Sequence, residues 1–393
     1  MIEKLFEYKK QELFFAGRSL VEFLKQHPDQ DRAKYVYHAD LIRQRLQQYQ
    51  QAFSSSVKIF FAMKANHCPQ VLKLIQQQGC GVDVVSGGEL QWALDHGFRP
   101  DQIVFSGVGK SNAELELAVQ KEIFQINVES ESELLRLIKI SEQKKKKVKV
   151  AVRLNPDVNP VTHPYIATGF RENKFGIESD HLLPLIHQAK DTWVQIQGIS
   201  VHIGSQLLQL DALTDAFQKT KHWVHSQGLS LQTLDLGGGL GIFYDRDDLK
   251  SEVELLNQYA GVVKDCFQNE SYQLLAEPGR WIVGHAGVLL TQVVAIKKTS
   301  TKTFVILQSG MNHLMRPSLY QAQHRILPLI QKGSASLVDV VGPICESSDV
   351  LLKNTSMTEV EEGDWVAIAD AGAYGFVMAN NYNLHALPIE YLI

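Results

Sequence analysis

Lys64 stands directly behind an apolar run, Phe60-Phe61-Ala62-Met63. Burial at such a place disfavours the charged ammonium and frees the amine to form a Schiff base with an aldehyde, although any single lysine so placed could equally be a surface residue. Glu277 opens Glu277-Pro278-Gly279-Arg280 behind another apolar run. Its carboxyl could keep the ring nitrogen of a heteroaromatic cofactor protonated; helix capping or a salt bridge would use it as readily. Gly237, Gly238 and Gly239 let backbone N–H groups close on an anion, as they also permit a tight turn. His202, in His202-Ile203-Gly204-Ser205, could lie on a planar ring or sit satisfied in a core. A dinucleotide fingerprint is a poor fit to Gly237-Gly238-Gly239-Leu240-Gly241, which lacks the G-x-G-x-x-G spacing and falls late in the chain.

These residues share a position relative to the elements that must hold them. Eight Val-, Ile- and Phe-rich runs read as strands over 57–63, 81–85, 103–106, 123–128, 147–154, 194–203, 231–236 and 272–277, with helical patterns in most gaps. That alternation has the size and order of a TIM (β/α)8 barrel, with an open doubly wound sheet as the alternative. Barrel active sites gather at the C-terminal strand ends. Lys64, Asp83, Ser106, His202 with Ser205, Gly237 to Gly239 and Glu277 to Arg280 fall at six such ends.

After Arg280 the pattern changes to closely spaced strand candidates, GVLLTQVVAIKKT, KTFVILQ, SLVDVVGPI and DWVAIAD. The expected fold is therefore α/β, with a barrel over 35–280 and a β-rich domain from 1–34 and 281–393. An early strand, KYVYHAD, is expected to join the β-rich part.

Composition restricts the function classes. The chain has 393 residues, 45% hydrophobic and 21% charged, with net charge -4, as an ordinary globular protein has. Its one dense basic run, Lys144 to Lys147, has no aromatic residues interleaved and reads as a solvated loop, so no nucleic-acid partner is expected. MIEKLFEYKKQELFF carries acids and no long apolar core, so neither a leader nor a membrane span is expected, and the cytoplasm is the expected setting. Cys68, Cys80, Cys266 and Cys345 lack metal-ligand spacing, which points to reduced thiols and no metal.

The ordered motifs FFAMKANHCPQVL, GVDVVSGGEL, FSGVGKS, INVESESEL, RLNPDVNPVTHPYIATGFRENKFGI, VHIGSQL, LDLGGGLGI, EPGRWIV, GMNHLMRPSLY, VVGPICESSDVL and DAGAYGFVMANNYN span nearly the whole chain. Through them the chain resembles the fold-type III pyridoxal phosphate decarboxylases, most closely their diaminopimelate-specific members. The resemblance implies an alanine racemase-like architecture and pyridoxal 5'-phosphate as cofactor. It implies that Lys64 carries the cofactor, that His202 covers the ring, and that Glu277 pairs with the ring nitrogen. Gly237, Gly238, Gly239 and Ser205 would cradle the phosphate, and Asp83, Pro278 and Gly279 would line the cofactor.

The resemblance further implies that Arg280, Arg316 and Tyr320 bind substrate carboxylates and that Tyr374 reaches both phosphate and substrate. Cys345 would protonate the product carbon, and Glu346 would contact the distal amino group, both supplied across a homodimer with shared sites. Cys345-Glu346-Ser347 fits the diaminopimelate type, whereas the ornithine type carries Cys-Asp-Gly. The expected reaction is conversion of meso-2,6-diaminopimelate to L-lysine and carbon dioxide.

Two departures stand out: Leu384-His385-Ala386-Leu387-Pro388 replaces the family's Arg-Pro-Arg-Pro stretch, and Trp281 replaces a small residue. They leave open a related amino acid, or a siderophore or antibiotic precursor, as substrate. A racemase is disfavoured by Glu277 and the Cys-Glu-Ser segment, and a non-catalytic regulatory homologue by the presence of both Lys64 and Cys345.

Overall fold

The computed structural model describes residues 2–393 except 3, 30, 55, 160–173 and 245–248. The part of the long RLNPDVNP motif that falls in 160–173 lies outside the described residues.

Eight parallel strands close into a barrel: β1 (Val57–Ala62), β2 (Gly81–Val84), β3 (Ile103–Phe105), β4 (Gln125–Val128), β5 (Val148–Asn155), β6 (Val194–Ser200), β7 (Thr233–Asp235) and β8 (Gln273–Ala276). Each pairs with its sequence neighbours, and β8 pairs with β1, Leu274 facing Val57, which completes the ring. The eight strands read from apolar runs are these eight. The alternation survives because every strand is buried on both faces, inside against side chains and outside against helices.

The sequence also fixes where several helices restart behind the strand ends. Ser86, Ser111 and Ser130 cap the helices behind β2, β3 and β4, each hydroxyl accepting the backbone N–H of a glutamate three residues on. For Ser111 the Glu114 side chain returns the bond, completing a capping box. Short caps of this kind keep the loops above β2 to β4 tight.

Inside the barrel, Phe60, Val104 and Leu275 form a small apolar layer. A polar network also lies inside the barrel and runs toward the C-terminal mouth through Asn127. Gln125 and Asn127, two residues apart on β4, both face inward, as the strand's period of two requires. Gln125 accepts from Thr233 at 2.8 Å and from Gln197 at 3.1 Å, and it donates to Asn127 at 2.8 Å.

The second domain is built on the strand Gly287–Lys298, antiparallel to Lys34–Tyr37, Thr303–Leu307 and Trp365–Ile368. Ala335–Val341 and Val350–Thr358 extend one side, and Ile389–Leu392 lies parallel to Lys34–Tyr37. The strand read in KYVYHAD thus belongs to this sheet, beside the last strand of the chain, while Phe6–Lys9, Glu12–Phe15 and Arg18–Ser19 form a small sheet of their own. Among the described residues no helix is long and apolar enough to cross a membrane.

Candidate active site

A cavity of about 460 Å³ opens at the C-terminal mouth of the barrel. It is lined by Lys64, His202, Ser205, Gly237, Glu277, Arg280, Tyr320 and Tyr374 from the expected set. With Val85, Ser106, Asn127 and Arg153 also in the lining, all eight strand ends and the β-rich domain converge on one space. Asp83 lies fully buried beside it.

Lys64 follows β1 on a single 3-10 turn, Met63–Ala65, and its Nζ is 3.5 Å from Asp83 Oδ2. Both carboxylate oxygens of Asp83 are buried with no hydrogen-bond partner among the described residues. Burial of Lys64 works against its charge, but Asp83, with Tyr374 and Glu277, outweighs that and carries its proton affinity above that of an ordinary lysine. The expectation that burial frees this amine of its proton is corrected: the buried carboxylate of Asp83 favours the charged form. Asp83 is itself shifted upward by burial, against the pull of Lys64.

Glu277 Oε1 accepts from Ser106 Oγ at 3.1 Å and from Asn127 Nδ2 at 3.3 Å, and Asn127 also donates to Asp235 Oδ2 at 2.9 Å. Burial first, then the negative neighbours Asp235 and Asp83, push the carboxyl of Glu277 well above the ordinary range. Asp83, Asp235 and Glu277 thus share the barrel mouth, and this crowding favours the protonated form of Glu277. A protonated carboxyl at this place can share that proton with a basic ring nitrogen.

His202 Nδ1 accepts the backbone N–H of Gly238 at 3.1 Å. Burial, Arg153 and Lys64 drive its basicity well below the usual value, so the ring that lines the cavity is neutral. The glycine loop differs from a simple anion nest. The N–H groups of Gly237 and Gly238 bond to Asp235 Oδ1 and His202 Nδ1. A Cβ on Gly238 would sit 2.3 Å from the carbonyl oxygen of Glu277, and one on Gly239 2.5 Å from that of Gly204. The glycines let the ends of β6, β7 and β8 touch, and Ser205 and Arg280 stand on the open side. Pro278 accepts a bond from Ala62 N–H at 3.1 Å, and Gly279 packs on Ala65, so both join the β8 mouth to the Lys64 turn.

Arg280 donates to Tyr244 Oη at 2.6 Å and to Ser205 Oγ at 3.1 Å, and its guanidinium lies 4.8 Å from the centroid of the Tyr374 ring. It also lines a second cavity, about 620 Å³, walled by Arg316, Tyr320, Tyr244 and His324. Arg316 is buried, lies over the Tyr244 ring at 4.5 Å and donates to His324 Nε2 at 2.7 Å. Arg280 and Tyr320 line both cavities, so the two are adjacent and share a wall, and the buried guanidinium groups of Arg280 and Arg316 line the second one.

Cys345 and Glu346 line neither cavity of their own chain. Cys345 is exposed, its N–H 3.4 Å from Asn383 Oδ1, and Glu346 accepts from Tyr382 Oη at 2.6 Å.

Residue-by-residue reading missed Arg153, Asn127, Asp235 and Tyr244. Arg153 donates to Glu129 at 2.6 Å and to the His202 carbonyl at 2.9 Å, from within the cavity wall. The available signal was a polar residue inside an apolar strand run, Arg153 in β5 and Asn127 in β4, which a buried strand accommodates only when the side chain is paired. Tyr244 carried no such signal.

A closed barrel with a lysine facing a buried acid at its mouth, beside an arginine-lined cavity, is the arrangement a Schiff-base enzyme acting on amino acids requires. Residues 39–284 match the family described as pyridoxal-dependent decarboxylase, pyridoxal binding domain. Along the sequence, the chain is 41% identical over 392 residues to a diaminopimelate decarboxylase of Aquifex aeolicus, covering 98% of this chain and 92% of that one. Among solved structures it is similar to diaminopimelate decarboxylase from Helicobacter pylori complexed with L-lysine, with TM-score 0.89, 39% identity and 94% of each chain covered. Diaminopimelate decarboxylase from M. jannaschii in co-complex with L-lysine gives TM-score 0.90 at 33% identity, covering 100% and 93%. The chain belongs to the pyridoxal-dependent decarboxylases, within their diaminopimelate decarboxylase family of carboxy-lyases.

The residues present fit pyridoxal phosphate: an amine for the aldehyde, a buried carboxyl that favours its protonated form for the ring nitrogen, a neutral imidazole in the cavity wall, and buried Asp83 oxygens beside the amine that no hydrogen bond satisfies among the described residues.

Proposed function

We propose that this enzyme decarboxylates meso-2,6-diaminopimelate to L-lysine and carbon dioxide. The observation that carries the reading is that Arg280 and Tyr320 line both the Lys64 cavity and an arginine-walled cavity beside it, which puts guanidinium groups within reach of the far end of a dicarboxylate held at Lys64. Relatives named for this activity at about 40% identity support the choice of substrate.

Bound pyridoxal phosphate supplies an electron sink for the bond to the departing carboxylate. Lys64 would hold it covalently and give it up to the substrate amine. Glu277 would keep the ring nitrogen protonated, His202 would cover the ring face and exclude water, and Asp83 would steady the Lys64 ammonium. Gly237 to Gly239, Ser205, Arg280 and Tyr374 would hold the phosphate end, with Pro278 and Gly279 fixing that wall. Arg280, Arg316 and Tyr320 would bind carboxylates through charge-assisted, bidentate contacts.

Cys345 would deliver a proton from Sγ to the carbon that has lost carbon dioxide, and Glu346 would accept the distal ammonium. We read both as serving the partner's cavity in a homodimer, because their exposed segment lies outside both cavities of its own chain. The reading also keeps a barrel unit and a β-rich unit meeting at the site, in a cytoplasmic protein, with the expected boundary at 35 moved past Lys34–Tyr37, which pairs in the β-rich sheet.

The altered tail favours no other substrate. It is anchored through its main chain: the carbonyl of Ala386 accepts from His313 at 3.0 Å and that of Leu387 from Arg32 at 2.9 Å. Side chains there can vary without moving the site. The test is kcat/KM on meso-diaminopimelate, ornithine and arginine side by side. A clear preference for diaminopimelate is expected; equal or better turnover of ornithine would overturn the assignment.

A further inference from the structure

Behind the Arg280 wall runs a buried chain of alternating charges that the reaction itself does not use. His285 sits five residues after Arg280 and is 2% exposed. Its Nε2 is 2.6 Å from Glu252 Oε1 and its Nδ1 is 2.6 Å from Asp370 Oδ1. Glu252 Oε2 accepts from Arg45 at 2.5 Å, and Asp370 Oδ2 accepts from Arg325 at 3.2 Å. With a carboxylate on each nitrogen, both ring nitrogens act as donors and the ring is an imidazolium.

The two acids belong to the two segments that hold Arg280. Glu252 Oε1 also accepts the N–H of Phe243 at 2.7 Å, the residue before Tyr244, whose hydroxyl receives Arg280. Asp370 precedes Gly372, whose N–H reaches Gly284 at 3.0 Å, and Tyr374, whose ring faces Arg280. Asp370 and Tyr374 both have left-handed backbone, φ +57° and +56°. Non-glycine residues adopt that conformation at a cost and keep it only when their surroundings enforce it.

The bulk of Trp281 belongs to the same device. Arg45 lies 3.4 Å from the centroid of the Trp281 ring and donates to its carbonyl at 3.0 Å. A buried ion chain is a weak source of net stability, because desolvation offsets most of the attraction. Its strength is direction: each carboxylate oxygen has one place to be.

We infer that His285 is a positioning residue, clamping the Tyr244 and Tyr374 segments through Glu252 and Asp370 so that Arg280 is held between two tyrosines at the junction of the cavities. This rests on the site proposed above. The groups facing the ring are Glu252 and Asp370 directly, with Arg45 and Arg325 behind them.

The experiment compares wild-type holoenzyme with His285→Asn, which keeps similar bulk and loses the charge. We expect kcat/KM to fall about tenfold with most of the change in KM, and cofactor retention to weaken severalfold. In isotope-labelled wild-type enzyme, His285 should titrate at about 9, far above a free histidine. A lowered melting temperature with KM, kcat and cofactor retention all unchanged would overturn the inference, as would titration of His285 at its ordinary value. If His285→Asn does not fold, Asp370→Asn is read for the same changes. A wild-type enzyme inactive on diaminopimelate would remove the substrate reading alone; the His285 titration and cofactor retention would still decide the clamp.

Discussion

The amine of Lys64 lies 3.5 Å from a carboxylate oxygen of Asp83 that has no other polar partner among the described residues. Against the cost of burial, Asp83 is the largest favourable influence on the charged amine of Lys64, ahead of Tyr374 and Glu277, and helps set how tightly the amine keeps its proton. Asp83→Asn should move the pH at which apoenzyme reacts with added pyridoxal phosphate downward by about one unit or more. A pH titration of the visible absorbance of the reconstituted enzyme checks this; an unmoved midpoint would mean that Asp83 does not control the amine.

Glu277 retains its proton because burial and two acidic neighbours make its charged form costly. Glu277→Gln keeps the acceptor for Ser106 but cannot exchange a proton with a ring nitrogen. It should lower kcat about 100-fold with little change in KM, as loss of a positioned proton-exchanging group does. Steady-state kinetics decide it; a pure KM effect would assign Glu277 to binding.

The barrel was legible because its strands are buried on both faces and so appear as unbroken apolar runs, each ended by a polar or glycine residue at the mouth. Lys64, His202, Gly237 and Glu277 could be placed at one rim from that pattern. The charge state of Lys64 could not, because it depends on Asp83, which precedes Val84 at the end of β2 and faces Lys64 only in the closed barrel. Tyr244 and His285 were missed for the same reason: their partners, Arg280, Glu252 and Asp370, are distant in sequence. Strands such as Val350–Thr358 were missed because the alternating exposure of an edge dilutes the apolar signal.

Cys345 and Lys64 should be separable across subunits. Cys345→Ala and Lys64→Ala enzymes are each expected to be nearly inactive. Mixed under conditions that exchange subunits, they should regain roughly a quarter of wild-type activity, from the one intact site in each mixed dimer. No recovery despite demonstrated exchange would put Cys345 in its own chain's site.

The ion chain predicts a pH window for stability. Burial opposes the charge of Glu252, but Arg45 and His285 hold its carboxyl down at about 2, so its contribution is present above its ordinary 4.5 and is lost as pH falls through about 2. Burial likewise opposes the charge of His285, but Asp370 and Glu252 raise it to about 9, so its contribution is full below its ordinary 6.5 and is lost as pH rises through about 9. The difference in thermal midpoint between wild type and Glu252→Gln should be greatest between these ordinary values and shrink on both sides. A difference constant with pH would contradict the charge assignments.

The most direct test of the whole account is to measure carbon dioxide and L-lysine together from meso-diaminopimelate and pyridoxal-phosphate-loaded enzyme, with Lys64→Ala as the blank. The account predicts equal amounts of the two products from wild type and neither above background from Lys64→Ala. A yellow, cofactor-loaded wild type that releases no carbon dioxide, or a Lys64→Ala enzyme that still forms lysine, would contradict it.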